Sequence, residues 1–124
     1  MEQLLNKLIN FFTLDTCSKI CKILAIYLIT FFIFLQITDK KYRLLYTVIV
    51  YIVCIYLFDT NYKHACLYVI IAICCVITES LYITYCNETW KYYNPDIINI
   101  PYWLISIWSI AILLIIEGVN MLKL

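Results

Sequence analysis

The hydrophobic positions of this chain form one amphipathic stretch followed by four apolar runs. Within residues 1–14, leucine, isoleucine and phenylalanine recur at helical spacing on one side, while glutamate, lysine and asparagine fall mostly on the other. That pattern is typical of a helix that lies in the membrane interface. Because about 20 apolar residues in a helix span the hydrocarbon core of a bilayer, each run is predicted to be a transmembrane helix. The four runs are residues 20–38, 44–58, 65–85 and 100–116.

The second run is the shortest, and it decides how many helices the bundle has. Residues 44–58 lie near the lower length limit for a transmembrane helix. Tyr42 and Tyr46 at the start and Tyr56 near the end extend this run as interfacial anchors. Because all connections are short, neighbouring helices are expected to be antiparallel. The pattern therefore predicts an all-α membrane protein: a four-helix transmembrane bundle with an N-terminal amphipathic interfacial helix, in one domain over residues 1–124.

The positive charges leave the orientation of this bundle weakly specified. With both termini inside, five Lys or Arg residues would lie inside and four outside, which is no real bias under the positive-inside rule. Asn87-Glu88-Thr89 is a glycosylation sequon in the connection before the last run. A sequon there fits termini on the inside, although it lies so close to the membrane that we expect little modification.

Composition supports lipid as the solvent of this protein. Hydrophobic residues make up 65% of the chain and charged residues 14%, against about 45–50% and 25% in soluble domains. A soluble fold of this size could not cover so much apolar surface. The net charge of +1 provides no basic field, so a nucleic-acid partner is excluded. The bias toward Tyr, Ile, Asn and Lys follows A+T-rich coding, as in some large DNA viruses, protists and low-GC bacteria. For a viral protein the membrane would be the host's.

Seven cysteines in a short chain raise the question of disulfides or metal. Several of them lie in or beside apolar runs, where a free cysteine behaves as a small hydrophobic residue. The adjacent pair Cys74-Cys75 has the wrong spacing for a zinc motif, and His64 is the sole histidine. No metal site and no cofactor are therefore expected.

Glu79 is the one acidic residue inside an apolar run. An ionised side chain deep in a membrane helix costs about 2.5–3.5 kcal/mol on insertion scales, so such residues usually face the bundle interior and find a partner. Cys75 and Tyr82 fall on the same helical stripe and would share a polar pocket with Glu79. The candidate partners on neighbouring helices are Thr47, Tyr51, Ser106 and Ser109.

The role of Glu79 stays open between two readings. It is either a functional acid, which binds a proton or a ligand or acts in catalysis, or a hydrogen-bonded clamp between helices. Catalysis requires a second group. The candidates for that group all lie in predicted loops: His64, Glu88 and Asp96.

An aromatic loop precedes the last run. The residues Asn94-Pro95-Asp96 favour a turn. Pro101 suits the first turn of a helix, because that position needs no amide donor. The loop either anchors the bundle in the interface or folds back over Glu79 and makes a lidded pocket that lipid can enter. The residues of this aromatic loop and helix start are Trp90, Tyr92, Asn94, Pro95, Pro101, Trp103 and Trp108.

With Thr78 and Glu79, these residues form the pattern T-E-x(10)-W-x-Y-x-N-P-x(5)-P-x-W-x(4)-W. It resembles a group of small, uncharacterised polytopic membrane proteins from bacteria, archaea and large DNA viruses. In that group a membrane glutamate precedes a G-x-W-x-Y loop and an I-P-x-W helix start. This chain departs from the group at Glu88 and Ser109, where glycine is usual. The resemblance implies a site around Glu79 and brings no established activity.

Three functions follow from these observations. The first is a non-enzymatic membrane-resident or assembly protein, because the sequence offers no paired catalytic groups, metal cluster or phosphate loop. The second is a membrane enzyme or carrier for an isoprenoid or lipid, with Glu79 as the acid and the aromatic loop as a lid. The third is an oligomeric proton or ion pore lined by one acid per subunit. The expected partners are the lipid bilayer, a second copy of the chain, or an apolar lipid ligand.

Overall fold

The computed structural model of this protein describes residues 1–86, 91–92, 95–96 and 100–122, without the side chains of Phe11 and Leu122. Within these residues every regular element is an α-helix, so the predicted all-α fold is confirmed. The helices are α1 (Glu2–Phe11), α2 (Leu14–Gln36), α3 (Lys40–Leu57), α4 (Tyr62–Tyr85) and α5 (Trp103–Leu122).

Three of these helices, α2, α3 and α4, begin at a polar side chain that caps them. The first amides of a helix have no carbonyl partner within it, and a side-chain oxygen just before the helix satisfies one of them. These caps let each helix begin within a few residues of the end of the preceding one. The capping residues and the amides that donate to them are Thr13 and Thr16 at 3.3 Å, Asp39 and Lys41 at 2.9 Å, and Asn61 and Lys63 at 2.9 Å.

α5 is the central helix of the fold. It packs against α2, α3 and α4, and α2 also packs against α3. One buried cluster joins α2, α3 and α5 through residues such as Ile33, Cys54 and Leu113. A second cluster lies between α4 and α5 and includes Val76 and Leu104. The described side chains of α1 are all exposed, so its apolar side stays uncovered by the described part of the chain.

Two ion pairs mark the two ends of the helix bundle. Lys19, near the start of α2, pairs with Glu117, near the end of α5, at 2.8 Å. At the other end, Lys40 at the start of α3 pairs with Asp96 in the connection between α4 and α5, at 2.9 Å. We call these the terminal end and the loop end. The pairs place neighbouring helices in alternating directions, as expected for short connections.

Three helices in the described part of the chain are long and apolar enough to cross a membrane: Leu14–Gln36, Tyr62–Tyr85 and Trp103–Met121. Their mean hydropathies are 2.0, 2.2 and 2.0. The prediction of a membrane protein is supported at this level. α3 is not among these helices, because its first turn carries three basic residues. Length and apolarity therefore establish three candidate crossings rather than the four that the sequence predicts.

The helix bounds differ from the predicted runs at both kinds of end. α2, α3 and α4 begin three to six residues earlier, at their caps, and tertiary contacts act at the ends of α2 and α5. α2 ends at Gln36 rather than at residue 38, since the guanidinium of Arg43 hydrogen-bonds the Phe34 and Ile37 carbonyl oxygens. α5 begins at Trp103 rather than at residue 100, which leaves Pro101 in the turn before the helix. α5 continues past residue 116 to Leu122, because Glu117 forms an ion pair with Lys19 and does not end the helix.

Candidate functional site

Glu79 lies on α4, six residues before the end of that helix at Tyr85. An α-helix rises about 1.5 Å per residue, so Glu79 lies about 9 Å from the loop end of the bundle. The side chain is half-buried against α5. An acidic group at this depth of a membrane helix requires hydrogen-bonding partners, since lipid offers none.

Both carboxyl oxygens of Glu79 accept hydrogen bonds from aromatic side chains. The hydroxyl of Tyr92 donates to Oε1, and the indole Nε1 of Trp108 donates to Oε2 at 3.1 Å. Tyr92 belongs to the connection before α5, and Trp108 lies in the second turn of α5. The carboxyl group therefore ties α4 both to the aromatic loop and to the central helix. Two donors from different directions hold it in one orientation.

Tyr92 is held in place by a second aromatic residue. Its ring meets the ring of Trp103 edge to face, with centroids 5.9 Å apart and an interplanar angle of 83°. Trp103 is 5% exposed, and its ring also meets the ring of Phe34 on α2 edge to face at 5.5 Å. Edge-to-face contacts of this kind stabilise aromatic pairs beyond the area that they bury. The position of Tyr92 over Glu79 thus depends on the core of the bundle.

Arg43 completes this aromatic group from the side of α3. Its guanidinium carbon lies 4.6 Å from the ring centroid of Phe34 and 4.8 Å from that of Trp103. Its Nε donates to the Ile37 carbonyl oxygen and its Nη2 to the Phe34 carbonyl oxygen, both at 2.9 Å. A cation at the C-terminal end of α2 satisfies carbonyl groups that have no partner within the helix. Arg43 therefore joins α2, α3 and α5 at the loop end.

An open groove of about 660 Å³ runs along α4 beside Glu79. Its walls are mostly apolar, and Glu79 is the acidic group among them. Cys75 and Tyr82, predicted to share a stripe with Glu79, do lie beside it. The volume falls within the range of small-molecule sites in proteins. The lining residues are Ile71, Cys74, Cys75, Thr78, Glu79, Tyr82 and Trp108.

The hydroxyl groups expected to reach Glu79 from neighbouring helices bond elsewhere. Thr47 and Ser106 pair with each other at 2.6 Å, Tyr51 donates to the Ala65 carbonyl oxygen at 2.6 Å, and Ser109 donates to the Ile105 carbonyl oxygen at 2.8 Å.

The rotation of α5 about its axis explains why Ser106 does not reach Glu79. Ser106 and Trp108 are two positions apart, which is about 200° around a helix. When Trp108 faces α4 and bonds Glu79, Ser106 must face away from it. It meets α3, where Thr47 is 0% exposed and Ser106 itself is 7% exposed. The predicted polar pocket is therefore two separate sites on opposite sides of α5.

The described part of the loop is fastened by Asp96. One carboxylate oxygen accepts from the backbone amide of Tyr102 at 3.0 Å, and the other accepts from the ammonium of Lys40 at 2.9 Å. The Tyr102 amide and then Lys40 hold the pKa of Asp96 below its ordinary value. Pro95 beside it is exposed and Pro101 is buried. Trp90, Asn94 and the sequon residue Asn87 lie outside the described residues.

Sequence reasoning missed three parts of this site. It placed Tyr92 in a loop that either anchors in the interface or covers Glu79, and it named Trp108 with that loop. It gave neither residue a hydrogen bond to Glu79, although a phenol and an indole are the donors that a buried carboxyl group needs. It counted Arg43 as a loop charge. The available signal was that Arg43 lies close to aromatic positions in a tight turn, since guanidinium groups stack on aromatic rings.

The arrangement presents one hydrogen-bonding carboxyl group to an apolar groove. In the described part of the chain, no three His, Cys, Asp or Glu side chains come together in a way that could hold a metal ion. In comparisons with protein-family models, curated proteins and solved structures, nothing matched this chain.

Proposed function

We propose that this protein is a multi-pass integral membrane protein that holds an isoprenoid or another apolar lipid in the Glu79 groove without catalysing a reaction. The observation that carries the proposal is the carboxyl group of Glu79, which Tyr92 and Trp108 hold at the edge of an otherwise apolar groove. A membrane helix keeps such a group only where it has a structural or functional use.

Four crossings fit the bundle better than three. α3 has 18 residues and is about 27 Å long. Without its basic first turn it is shorter than the hydrocarbon core of about 30 Å, and tyrosines near its two ends extend it as interfacial anchors. Its three basic residues lie in the first turn, at the loop end, where they reach the headgroups. The Lys19–Glu117 pair brings the start of α2 and the end of α5 to one end of the bundle. With α3 as a crossing, both termini lie on the same side, and α1 rests in the interface on that side.

The chemistry of the groove favours a lipid with a small polar head. The apolar wall along Ile71 and Cys74 suits a hydrocarbon chain. Glu79 lies about 9 Å from the helix end, below the headgroup layer, so the head of the ligand must be compact. Both oxygens of this carboxyl group already act as hydrogen-bond acceptors. An alcohol that donates a hydrogen bond is the matching head.

Binding is favoured over catalysis by the nature of the groups around the carboxyl. Tyr92 and Trp108 orient Glu79, and phenols and indoles are poor general acids and bases near neutral pH. Donors that fix the orientation of a carboxyl group suit recognition of a ligand.

A photoactivatable long-chain alcohol with a diazirine in its chain tests the proposal. The full-length protein in lipid nanodiscs is irradiated with the probe, and the crosslinked peptides are mapped by mass spectrometry. We expect capture on the groove face of α4, around Thr78. Ile71→Trp fills the groove and should abolish capture. Ile70→Trp is the matched control, since Ile70 is 57% exposed on the same helix and does not line the groove.

Glu79→Gln should weaken capture but leave its map unchanged, because the amide keeps the shape and loses acceptor capacity. The proposal fails if crosslinks scatter over the lipid-facing surface, or if Ile71→Trp captures as much probe as Ile70→Trp. Loss of capture in both tryptophan variants would mean that the probe reads the general surface of α4 rather than the groove.

A further inference from the structure

A second cavity, of about 250 Å³, lies at the terminal end of the bundle, away from the Glu79 groove. Charged groups of both signs line it, which is unusual in a chain with 14% charged residues. Its charged walls come from the start of α2, the connection after α3 and the end of α5. These residues are Asp15, Lys19, Lys22, Asp59 and Glu117.

The charges in this cavity are only partly neutralised by one another. Lys19 and Glu117 form an ion pair at 2.8 Å. Among the described residues, no ion pair engages Lys22, Asp15 or Asp59. One cationic and two anionic side chains therefore face the same space, available to a molecule that carries both charges.

The position of the cavity matches the headgroup layer of a membrane. α2 has 23 residues and is about 34 Å long, which exceeds the hydrocarbon core of about 30 Å. Its first turn therefore reaches the interface, and the long side chains of Lys19 and Lys22 extend toward the same layer. Leu57 and Phe58, at the end of α3, provide an apolar wall on the same cavity. Charge on one side and hydrocarbon on another suit the boundary between a lipid headgroup and its acyl chains.

We propose that this cavity binds the headgroup of a zwitterionic phospholipid with a primary amine, a phosphatidylethanolamine. The ammonium of Lys22 pairs with the phosphate as a point charge. The amine of the lipid, with three N–H donors, bonds the carboxylates of Asp15 and Asp59. A choline headgroup has no N–H donor, and the neutral glycerol of phosphatidylglycerol would leave the two carboxylates without a cation. This site rests on the proposed membrane crossings and is independent of the Glu79 groove.

Asp59 allows a mild substitution in this cavity. Its φ of 50° lies in the left-handed region, which Asn and Asp adopt more readily than other non-glycine residues. Asp59→Asn therefore keeps the backbone and removes the charge. Lys22→Met removes the ammonium and keeps most of the side-chain length, and Lys22→Arg keeps the charge. Lys7→Met and Glu2→Gln on the exposed helix α1 are controls for charge loss elsewhere.

The test is native mass spectrometry of the full-length protein released from micelles that contain equal amounts of phosphatidylethanolamine, phosphatidylcholine and phosphatidylglycerol. We expect phosphatidylethanolamine to be retained preferentially. Lys22→Met should lower the retention of all three lipids by about tenfold, as for one charge-assisted hydrogen bond, because each of them carries the phosphate. The double change Asp15→Asn with Asp59→Asn should lower the preference for phosphatidylethanolamine by about tenfold. Lys22→Arg and the two α1 controls should keep both the retention and the preference.

Equal retention of the three lipids by the wild-type protein would overturn the proposal whatever the variants do. A preference that survives the double change Asp15→Asn with Asp59→Asn would also overturn it, as would retention that Lys22→Met leaves unchanged. Soluble phosphoethanolamine that displaces the lipid at equal concentration would overturn the assignment to a lipid. Failure of this experiment leaves the crosslinking result at Ile71 unaffected, so the two proposals stand or fall separately.

Discussion

The hydroxyl of Thr47 on α3 and the hydroxyl of Ser106 on α5 lie 2.6 Å apart in a buried interface. Each hydroxyl can also donate to a carbonyl oxygen of its own helix: Thr47 to Arg43 at 2.7 Å, and Ser106 to Trp103 at 2.8 Å. Two protons serve these contacts, so one hydroxyl donates across the interface and the other donates within its helix. The pair joins two parallel helices where no charged group takes part.

Thr47→Val should lower the free energy of unfolding by about 1 kcal/mol, because interhelical hydrogen bonds in membranes contribute about 0.6–1.7 kcal/mol. Ser109→Ala should cost less, since Ser109 bonds only its own helix. A double-mutant cycle of Thr47→Val and Ser106→Ala, measured by unfolding in bicelles, should give a coupling energy of at least about 0.5 kcal/mol. A coupling energy of zero would contradict the interhelical bond.

Tyr51→Phe should destabilise the contact between α3 and α4. The Tyr51 hydroxyl donates to the Ala65 carbonyl oxygen at 2.6 Å in a buried position, and removal of such a bond costs about 1 kcal/mol. Tyr68→Phe is the control, because Tyr68 is a tyrosine on α4 with a similar exposure, 7% against 8% for Tyr51. Thermal unfolding in detergent should rank wild type and Tyr68→Phe together above Tyr51→Phe. The reverse order would show that the Tyr51–Ala65 hydrogen bond does not stabilise the contact between α3 and α4.

Arg43→Lys should be costly although it preserves the charge. Lysine cannot bond the Phe34 and Ile37 carbonyl oxygens together while it stacks between two aromatic rings. We expect a loss of about 1–2 kcal/mol from the hydrogen bonds and cation–π contacts. Lys41→Arg, an exposed position in the same turn, should be neutral. Equal melting temperatures for the two variants would show that Arg43 acts only through its charge.

Asp96 should make stability depend on pH in the acid range. Its folded-state pKa lies below the unfolded value, which is about 3.9 for aspartate. The stabilisation is therefore present above about pH 4 and is lost as the pH falls through the lower folded pKa. Because the Asp96–Lys40 pair is partly exposed to solvent, the effect should be about 0.2–1 kcal/mol. Asp96→Asn should be less stable than wild type at pH 7 and equally stable at low pH. If the stability of Asp96→Asn and of wild type depends on pH in the same way, Asp96 does not have this role.

The number of crossings has a direct test in the location of the termini. Four crossings place both termini on one side of the membrane, and three place them on opposite sides. Reporters fused separately to Met1 and to the C-terminus, each read by accessibility to a membrane-impermeant label, should give the same side. Opposite sides would mean that α3 lies against the membrane without crossing it.

Most of the helices could be predicted from the sequence because their causes are local. The apolar runs and the side-chain caps at Thr13, Asp39 and Asn61 act within one or two turns of chain. α2, α3 and α4 begin three to six residues before the predicted runs, at these local caps. The end of α2 differs because a distant residue, Arg43, bonds its last carbonyl oxygens. Glu79 could be singled out for a similar reason, since an acid inside an apolar run is costly wherever it points.

The partners of Glu79 could not be predicted, because they depend on how the helices rotate against one another. Trp108 is 29 residues away and Tyr92 is 13 residues away, so no periodicity links them to Glu79. The hydroxyl of Ser106 looked equally suitable from the sequence, yet it faces α3.

By itself the sequence determined that this chain is helical, apolar enough for a membrane, and marked by one acidic group within an apolar helix, because hydrophobicity and capping are properties of short segments. Only the tertiary structure decided that Trp108 rather than Ser106 meets Glu79, that Arg43 joins three helices, and that charges from α2, α5 and the connection after α3 share one cavity. Packing selects one rotation for each helix, and that rotation determines which side chains meet.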